Sequence, residues 1–484
     1  MTVSFGIRYR GRSRRRTYVF HLATKRPVLT LNGYRTARKW LGNLTVILLG
    51  MGTSLGSEIG DPQEGYRLLT EKAYLPPDFD QEVFDELWKR WPKKERQSAQ
   101  AALLRDRRRL TMERYGLSPR PNDPQERPLQ YVVSDDGTWS MNCFACHGGN
   151  LLGQTVPGLP NRDFALEQLT ADVRATKIRL GKTLSHMDLG SLIMPLGSTR
   201  GTTNAVMFGV ALLANRHDDL RLKSLRIPPK MVHHDMDAPP WWHFRLKQHL
   251  YIDGFAPKGH RALMQFILVE QNGPDAFRSW EDDFRHIYAF LSSLQPPKFP
   301  GTIDRELASA GRLVFDRHCA TCHGYYRDDS PPEYPERVIP WDEVATDRVR
   351  LDALTPVHRE RYASSWFHAD RDMEVLVDPN GYVAPPLTGV WATAPYLHNG
   401  SVPTLWHLLR PAGRPTVWRR TPSNYDLERI GLSFREPSVT ESDNVQSENR
   451  FDTRQTGKHA TGHDFPSILS ENEKLAVLEY LKTL

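Results

Sequence analysis

Two runs of five residues, at positions 143–147 and 319–323, hold the side chains whose types and spacing can do chemistry. Both read Cys-x-x-Cys-His. In this pattern two thiols form thioethers with the vinyl groups of a haem, and the adjacent histidine ligates the iron. The chain has four cysteines, and these two runs contain all of them. We therefore expect two covalently bound haem c groups. The expected attachment residues are Cys143, Cys146, Cys319 and Cys322, and the expected iron ligands are His147 and His323.

A zinc site is the alternative interpretation of the same cysteines. Two Cys-x-x-Cys pairs can supply the four ligands of a tetrahedral structural zinc ion. Such a site does not require a histidine directly after each pair, and the two pairs lie far apart in the sequence. The repeated histidine therefore favours haem. No repeat is apparent in the sequence beyond these two motifs.

Residues 1–57 have the composition of a leader. They contain eleven Lys and Arg residues and no acidic residue, and an apolar run over residues 40–55 ends in small residues. This order is typical of a secretory signal, and an uncleaved membrane anchor is the alternative. Because bacteria attach haem c outside the cytoplasmic membrane, we expect a periplasmic or secreted protein. We expect contact with a membrane only if the leader is retained.

The charge of the chain does not point to nucleic acid. The formal net charge is +7, but it depends on the eleven basic residues of the leader, and without them acidic residues outnumber basic ones. A strongly basic domain would have indicated binding to a polyanion. We therefore expect no nucleic-acid partner.

A proline-rich segment over residues 295–301 marks the clearest domain boundary, with helical patterns on both sides. We expect an N-terminal, atypical haem domain with a helical cap over residues 58–300. We expect a second haem domain over residues 301–484. Long polar loops are expected at residues 327–347 and 421–463.

Two helices of the second domain are expected to cross closely. The first contains Gly311 and Phe315 at eight and four residues before Cys319. The last segment of the chain begins at Ser470 with a Ser-x-x-Glu capping box and carries apolar residues at helical spacing. This arrangement resembles the terminal helices of a class I cytochrome c domain, in which the glycine permits the close crossing.

Residues 394–405, Ala-Pro-Tyr-Leu-His-Asn-Gly-Ser-Val-Pro-Thr-Leu, form a further signature. They resemble the Thr-x-Pro-Tyr-x-His-x-Gly-Ser-x-x-Thr-Leu signature of bacterial di-haem cytochrome c peroxidases. The variant is closer to secreted di-haem oxygenases of the rubber-oxygenase type, and residues 462–465 (Gly-His-Asp-Phe) resemble the same branch. The similarity covers residues 141–484 and is strongest after Gly311.

The resemblance implies a mainly α fold of two class I cytochrome c-like domains with loop-rich extensions. It also implies a reactive first haem and a second haem that passes electrons. In rubber-type oxygenases a Trp and a Phe line an apolar pocket over the first haem, so Trp242 and Phe255 are candidates for that role. Packing against the porphyrin face is the alternative for both. A peroxidase needs an acid or base near peroxide, and Glu270 is the candidate.

The second iron needs a ligand opposite His323. Peroxidases of this type place a Met or Tyr ligand shortly after the signature, but residues 408–413 contain neither. The departure indicates another ligand, and His463, on a Gly-His turn before the last helix, is the first choice. The alternatives are His398, His459 and His407.

These features predict a di-haem c-type oxidoreductase whose first haem activates peroxide or dioxygen. The alternative is an electron-transfer cytochrome without substrate chemistry of its own. Small redox proteins or small-molecule electron donors are the expected partners, and a hydrophobic substrate is expected if the protein is an oxygenase.

Overall fold

Short helices and small antiparallel sheets alternate along the chain. The computed structural model describes residues 60–194, 196–226, 229–369, 373–437 and 449–484. Helices make up 41% and strands 15% of the fold, with several small sheets. This is a mixed α/β fold, and the described residues give no evidence of two class I cytochrome c domains. The prediction of a mainly α fold built from two such domains is therefore wrong.

The helices are mostly short. The α-helices span Pro62–Glu71, Gln81–Glu86, Lys93–Ala101, Leu104–Tyr115, Phe144–His147, Leu166–Leu180, His186–Gly190, Ala205–Ala214, Pro274–Ser279, Glu281–Ser293, Arg305–His318, Ala320–His323, Trp341–Val344, Val349–Ala353, Pro356–Ala363, Leu405–Leu408 and Glu471–Leu481. The 3-10 helices span Leu87–Arg90, Trp241–Leu246, Arg261–Ile267, Val390–Ala392, Pro411–Gly413 and Phe465–Ile468.

Every strand pair that the structure describes is antiparallel. In one three-stranded sheet, the central strand Thr138–Met141 lies between Phe79–Asp80 and Tyr131–Val133. In the other, the central strand Val417–Asp426 lies between Gly431–Arg435 and Arg450–Asp452. The two-stranded sheets pair Gly148–Leu151 with Gln154–Pro157, Thr202–Thr203 with Met236–Asp237, His249–Leu250 with Ala256–Pro257, Tyr325–Arg327 with Ser330–Glu333, and Val338–Pro340 with Gly381–Val383.

The fold departs from the prediction where loops were expected. Within residues 421–463, the described chain contributes strands to a three-stranded sheet instead of an irregular loop. Trp418 on the central strand lies opposite Phe451, and their rings stack at a centroid distance of 5.1 Å. Strand pairing satisfies the backbone N–H and C=O groups, and the cross-strand aromatic pair stabilises the register. These contacts join distant segments, so local sequence pattern does not reveal them.

The close crossing of the terminal helices is confirmed. Helix Arg305–His318 packs against helix Glu471–Leu481, and a Cβ placed on Gly311 would lie only 1.9 Å from the carbonyl oxygen of Ala476. Ser470 and Glu473 form the expected capping box at the start of the second helix. The glycine is therefore required by the close approach of the two backbones.

Buried side chains from both sides of residue 300 belong to common clusters. Trp242 and Trp391 lie in one cluster, and Phe277 and Tyr362 lie in another. The described chain from residue 60 onwards belongs to one compact unit. The domain division at residue 300 stays a prediction, and the core extends across it.

The N-terminal leader, residues 1–57, lies outside the described residues. In the part of the chain that the structure describes, no helix is long and apolar enough to cross a membrane. The predicted location, anchored by the N-terminal apolar segment, is corrected in this respect: such an anchor is not supported, and its residues 40–55 lie outside the described residues.

Substitution of Gly311 by Ala should destabilise the protein. The added methyl group would overlap the backbone of the crossing helix, and overpacking of this kind costs about 1–3 kcal/mol. Thermal or denaturant unfolding measures the change. Gly273→Ala is the matched control, because a Cβ there meets no atom within 4 Å. Equal stability of both variants would contradict the close crossing.

Candidate haem-binding site

The first Cys-x-x-Cys-His motif forms one helical turn, Phe144–His147. Asn142 holds the turn in place, because its side-chain oxygen accepts from the N–H of Phe144 at 2.9 Å and its amide donates to the carbonyl of Leu129 at 2.9 Å. Phe144 is fully buried. Residues three apart on a helix lie on the same face, so the turn presents both cysteines on one side.

The imidazole of His147 is held by a proline. Its Nδ1 lies 3.0 Å from the carbonyl oxygen of Pro239, which can only accept, so Nδ1 carries the proton and Nε2 keeps a free lone pair. The indole of Trp241 stacks on the ring at a centroid distance of 4.8 Å. Burial lowers the pKa of His147 to about 4. The ring is therefore neutral and oriented, as a metal-ligating histidine must be.

The second motif repeats this construction. It follows helix Arg305–His318 directly and forms the single turn Ala320–His323. Nδ1 of His323 donates to the carbonyl oxygen of Pro385 at 2.8 Å, and burial lowers the pKa of His323. Both motif histidines therefore present Nε2 for coordination.

The two accepting prolines form a repeat that the sequence analysis missed. Pro239 and Pro385 are each the middle residue of an Ala-Pro-Pro triplet, at residues 238–240 and 384–386. Each triplet directly follows a short strand, Met236–Asp237 or Gly381–Val383. The expectation that the sequence has no repeat beyond the cysteine motifs was wrong. The repeated triplet is visible in the sequence, but its function as a hydrogen-bond acceptor for a distant histidine is visible only in the structure.

One carbonyl group links the two proline segments. The oxygen of Thr388 accepts from the indole N–H of Trp242 at 2.8 Å and from Nε2 of His243 at 2.9 Å. Trp242 is fully buried. Because Trp242 lies three residues after Pro239 and Thr388 lies three residues after Pro385, this contact joins the structures that orient His147 and His323.

The candidate catalytic residues do not come together. Phe255 lines a small, mainly apolar cavity of about 40 Å³ and stacks on Tyr251 at 4.7 Å between ring centroids. Trp242 is not among the residues that line this cavity. Glu270 lies at the surface, with 59% of its side chain exposed, and pairs with Arg226 at 2.5 Å. The role of Phe255 beside a reactive centre and the acid–base role of Glu270 stay predictions.

His463 lies opposite His323. Their ring centroids are 6.1 Å apart, and the rings are inclined at 63°. An imidazole nitrogen lies about 2.0–2.1 Å from a first-row metal ion, so two imidazoles on opposite sides of one ion have ring centres about 6 Å apart. Burial lowers the pKa of His463 to about 3, which keeps its ring neutral. The pair therefore fits an iron ion between the two rings.

The backbone around His463 is tightly constrained. Gly462 and His463 have φ values of +76° and +52°, and a positive φ is uncommon for a residue other than glycine. The N–H of His463 donates to the carbonyl of Val344 at 2.6 Å. Arg414 donates to the carbonyl of Gly462 at 2.7 Å, from the other side of the turn. Such strained residues cluster at functional sites.

The other candidate ligands have different contacts. Nδ1 of His459 lies 2.7 Å from Asp347, and Nδ1 of His407 lies 2.7 Å from the hydroxyl of Thr404. The ring of His398 packs on Tyr382 at a centroid distance of 4.7 Å. In the described chain, it is the ring of His463 that packs against the ring of His323.

The geometry gives no support to zinc. Among the residues that the structure describes, no three or more His, Cys, Asp or Glu side chains are grouped so as to hold a metal ion. The two cysteine pairs instead serve two separate motifs, each with its own histidine and its own proline acceptor. This arrangement fits one haem c at each motif.

Comparison with known proteins agrees with this chemistry. Residues 381–419, which begin at the strand leading to Pro385, match the family of RoxA-like, cytochrome c-like domains. A cytochrome c-like domain implies binding of haem c and indicates a haem-containing oxidoreductase or electron-transfer role. The match supports the resemblance to rubber-oxygenase-like cytochromes at a coarse level.

Two relatives come from the bacterium Sinorhizobium fredii. The uncharacterized protein y4iM is 32% identical over 202 residues, which are 36% of this chain and 45% of the relative. The uncharacterized protein y4iJ is 28% identical over 259 residues, which are 40% of this chain and 42% of the relative. The chain thus matches less than half the length of either relative.

Replacement of His463 by Ala should change the spin state of the haem at His323. Loss of a strong-field imidazole leaves a coordination position open, so optical and electron paramagnetic resonance spectra should change from low spin to high spin. His398→Ala is the matched control, because His398 is a half-buried histidine whose ring packs on Tyr382. A high-spin signal from the control alone would show that the ligand assignment is wrong.

Proposed function

We propose that the chain is a di-haem c-type oxidoreductase with one covalent haem at each cysteine motif. The observation that carries the proposal is the repeated construction of the site. Each motif histidine donates Nδ1–H to the carbonyl of an Ala-Pro-Pro segment, at 3.0 Å in one case and 2.8 Å in the other. If one of the two motifs were accidental, the same proline carbonyl acceptor would not be expected at both histidines.

The bound haem groups would supply redox-active iron, and the surrounding residues would set what each iron can do. Cys143, Cys146, Cys319 and Cys322 would form the thioether bonds. His147 and His323 would ligate the irons through Nε2, each held by its proline acceptor. Side chains of this chain would thus hold both haem groups.

The two sites would have different roles. At the second site, His463 opposite His323 would complete the coordination, which suits reversible electron exchange without binding of a substrate. At the first site, Trp241 stacks on the ring of His147 and so packs beside that ligand. We infer that the first iron would keep its opposite position for peroxide or dioxygen, and that the second would transfer electrons to or from it.

The contact between Trp242, His243 and Thr388 supports electron exchange between the sites. It connects the segments that hold His147 and His323 through two hydrogen bonds to one carbonyl oxygen. Both side chains are buried, so water does not separate the two segments at this point. Trp242 would act as part of this connection, beyond its role in packing.

The side chains that line the cavity beside Phe255 indicate which kind of molecule it would suit. Its walls come mainly from aliphatic and aromatic side chains, with Gln265 and His358 among the polar ones. An apolar wall would suit dioxygen or a small part of a hydrophobic molecule, whereas peroxide cleavage needs a positioned acid or base; at about 40 Å³ the cavity is too small for a whole organic substrate. Small redox proteins or small-molecule electron donors would deliver or remove electrons at the second site.

An electron-transfer cytochrome without substrate chemistry is the second candidate. The cytochrome c-like match over residues 381–419 covers the second motif's proline acceptor, which an electron carrier would need equally. The two candidates differ at the first iron, which an electron carrier would saturate with a second protein ligand.

The mass of the isolated protein tests the number of haems. We expect the chain to carry two haem groups, since both motifs have the same supporting contacts. The double substitution Cys319→Ala, Cys322→Ala should leave one, and so should Cys143→Ala, Cys146→Ala. A single haem in the unaltered protein, or stoichiometric zinc in its place, would exclude the proposal.

Carbon monoxide distinguishes the enzyme from the electron carrier. In the reduced protein it should bind to one haem of the two, at His147, because the other iron would be held by the imidazoles of both His323 and His463. The His463→Ala variant should bind a second equivalent. Absorption spectra during titration measure both. If the reduced, unaltered protein binds none, the electron carrier is the better description.

A further inference from the structure

Three fully buried charges lie together outside the motifs. Asp253, Arg350 and Arg359 are each at most 2% exposed. Arg359 donates to Oδ2 of Asp253 at 2.8 Å, and Nη1 of Arg350 lies 3.4 Å from the same oxygen. Within the described residues, no other carboxylate pairs with either arginine. One buried carboxylate thus pairs directly with two guanidinium groups, and Asp378 acts on Arg359 without a direct ion pair. The direct pairs alone leave one positive charge uncompensated.

An excess buried charge is costly. Removing a charged group from water costs several kcal/mol unless an opposite charge and hydrogen bonds compensate it. Arginine stays protonated at any physiological pH, so it cannot escape this cost by losing its proton. The arrangement is therefore incomplete without an anion.

Arg350 shows where the anion belongs. Its Nε and Nη2 atoms are both buried and have no hydrogen-bond partner. Among the arginines that the structure describes, it is the one with two such nitrogens. Nε and Nη2 form one edge of the guanidinium, and this edge binds both oxygens of a carboxylate in parallel. Its Nη1, on another edge, faces Asp253.

The cluster lies close to Phe255 and to the strand that leads to Pro385. Asp253 is two residues before Phe255, and the guanidinium of Arg359 lies 5.9 Å from the Phe255 ring centroid. On the other side, the N–H of Leu351 donates to the hydroxyl of Tyr382 at 3.2 Å. Tyr382 lies on the strand that leads to Pro385. Leu351, next to Arg350, shares a buried cluster with Tyr382, and Cys322 packs against that cluster. Arg350 thus lies in a segment beside the second cysteine motif.

We propose that the Nε and Nη2 edge of Arg350 binds a carboxylate, and that this carboxylate is a propionate of a bound haem. The inference rests on the proposed function, because it requires haem at the cysteine motifs. Haem c keeps its propionate carboxylates after its vinyl groups have reacted with cysteine. A small free carboxylate has the same chemistry and is the other source that the experiment must separate.

The proposal has a consequence for reduction. A fixed positive charge beside a haem favours the reduced state, because reduction adds an electron. Arg350 would therefore raise the reduction potential of the haem that it contacts. Removal of the guanidinium would leave a neutral Asp253–Arg359 pair, so the remaining cluster would be balanced.

Potentiometric titration of the protein with both haems tests the inference, in a buffer without carboxylates. Arg350→Gln should lower the reduction equilibrium constant of one haem about tenfold, which corresponds to about 59 mV for one electron. Arg350→Lys should restore part of the shift, since it keeps the charge and loses the two-pronged contact. The other haem should not respond.

Arg348→Gln is the matched control, because Arg348 carries the same charge two residues away but is 46% exposed and pairs with Asp352. It should leave both potentials unchanged. Unchanged potentials in Arg350→Gln, with two haems still attached, would overturn the inference while leaving the proposed function intact. If added formate shifts the potential of the unaltered protein and not that of Arg350→Gln, a free carboxylate occupies the edge and the propionate assignment is wrong. If Arg350→Gln fails to fold, the comparison of Arg350→Lys with the unaltered protein decides in the same way.

Discussion

The carbonyl oxygens of Pro239 and Pro385 are the constraint on which the candidate site depends. Each accepts the Nδ1 proton of a motif histidine and so fixes both its tautomer and the direction of Nε2. A single hydrogen bond of this kind contributes only about 0.5–1.5 kcal/mol to stability, so its main effect is on orientation. The following proline restricts the backbone of each acceptor to an extended conformation, which keeps the carbonyl in place.

These two constraints are coupled through the carbonyl oxygen of Thr388. Trp242 and His243 both donate to it, so the acceptor segments cannot move independently without breaking a buried hydrogen bond. Burial lowers the pKa of His243 to about 3, so its ring stays neutral over the physiological pH range. The link between the two sites is therefore insensitive to pH near neutrality.

Buried charged groups and a strained backbone position lie near the candidate site. A core made for stability alone would avoid unpaired buried charges, because they cost more than well-packed apolar side chains. Here Asp253, Arg350 and Arg359 lie fully buried beside the aromatic residues that line a cavity. His463, with its positive φ, adds a strained backbone position directly opposite His323. Stability is given up in this region for the placement of particular groups.

The sequence by itself determined the local chemistry. The cysteine motifs, the capping box at Ser470 and the close helix crossing at Gly311 follow from short patterns, because their physical requirements involve neighbouring residues. His463 could be chosen as a ligand candidate from its turn, but its place opposite His323 is a property of the tertiary structure.

Only the tertiary structure decided the rest. The mixed α/β fold, the proline acceptors, the contact of Trp242 with Thr388 and the surface position of Glu270 all depend on pairs of residues far apart in the chain. The partners in strand pairs and buried hydrogen bonds are not separated by a regular number of residues, so a local sequence pattern does not predict them. Local patterns show which residues can do chemistry, and long-range contacts decide which of them meet.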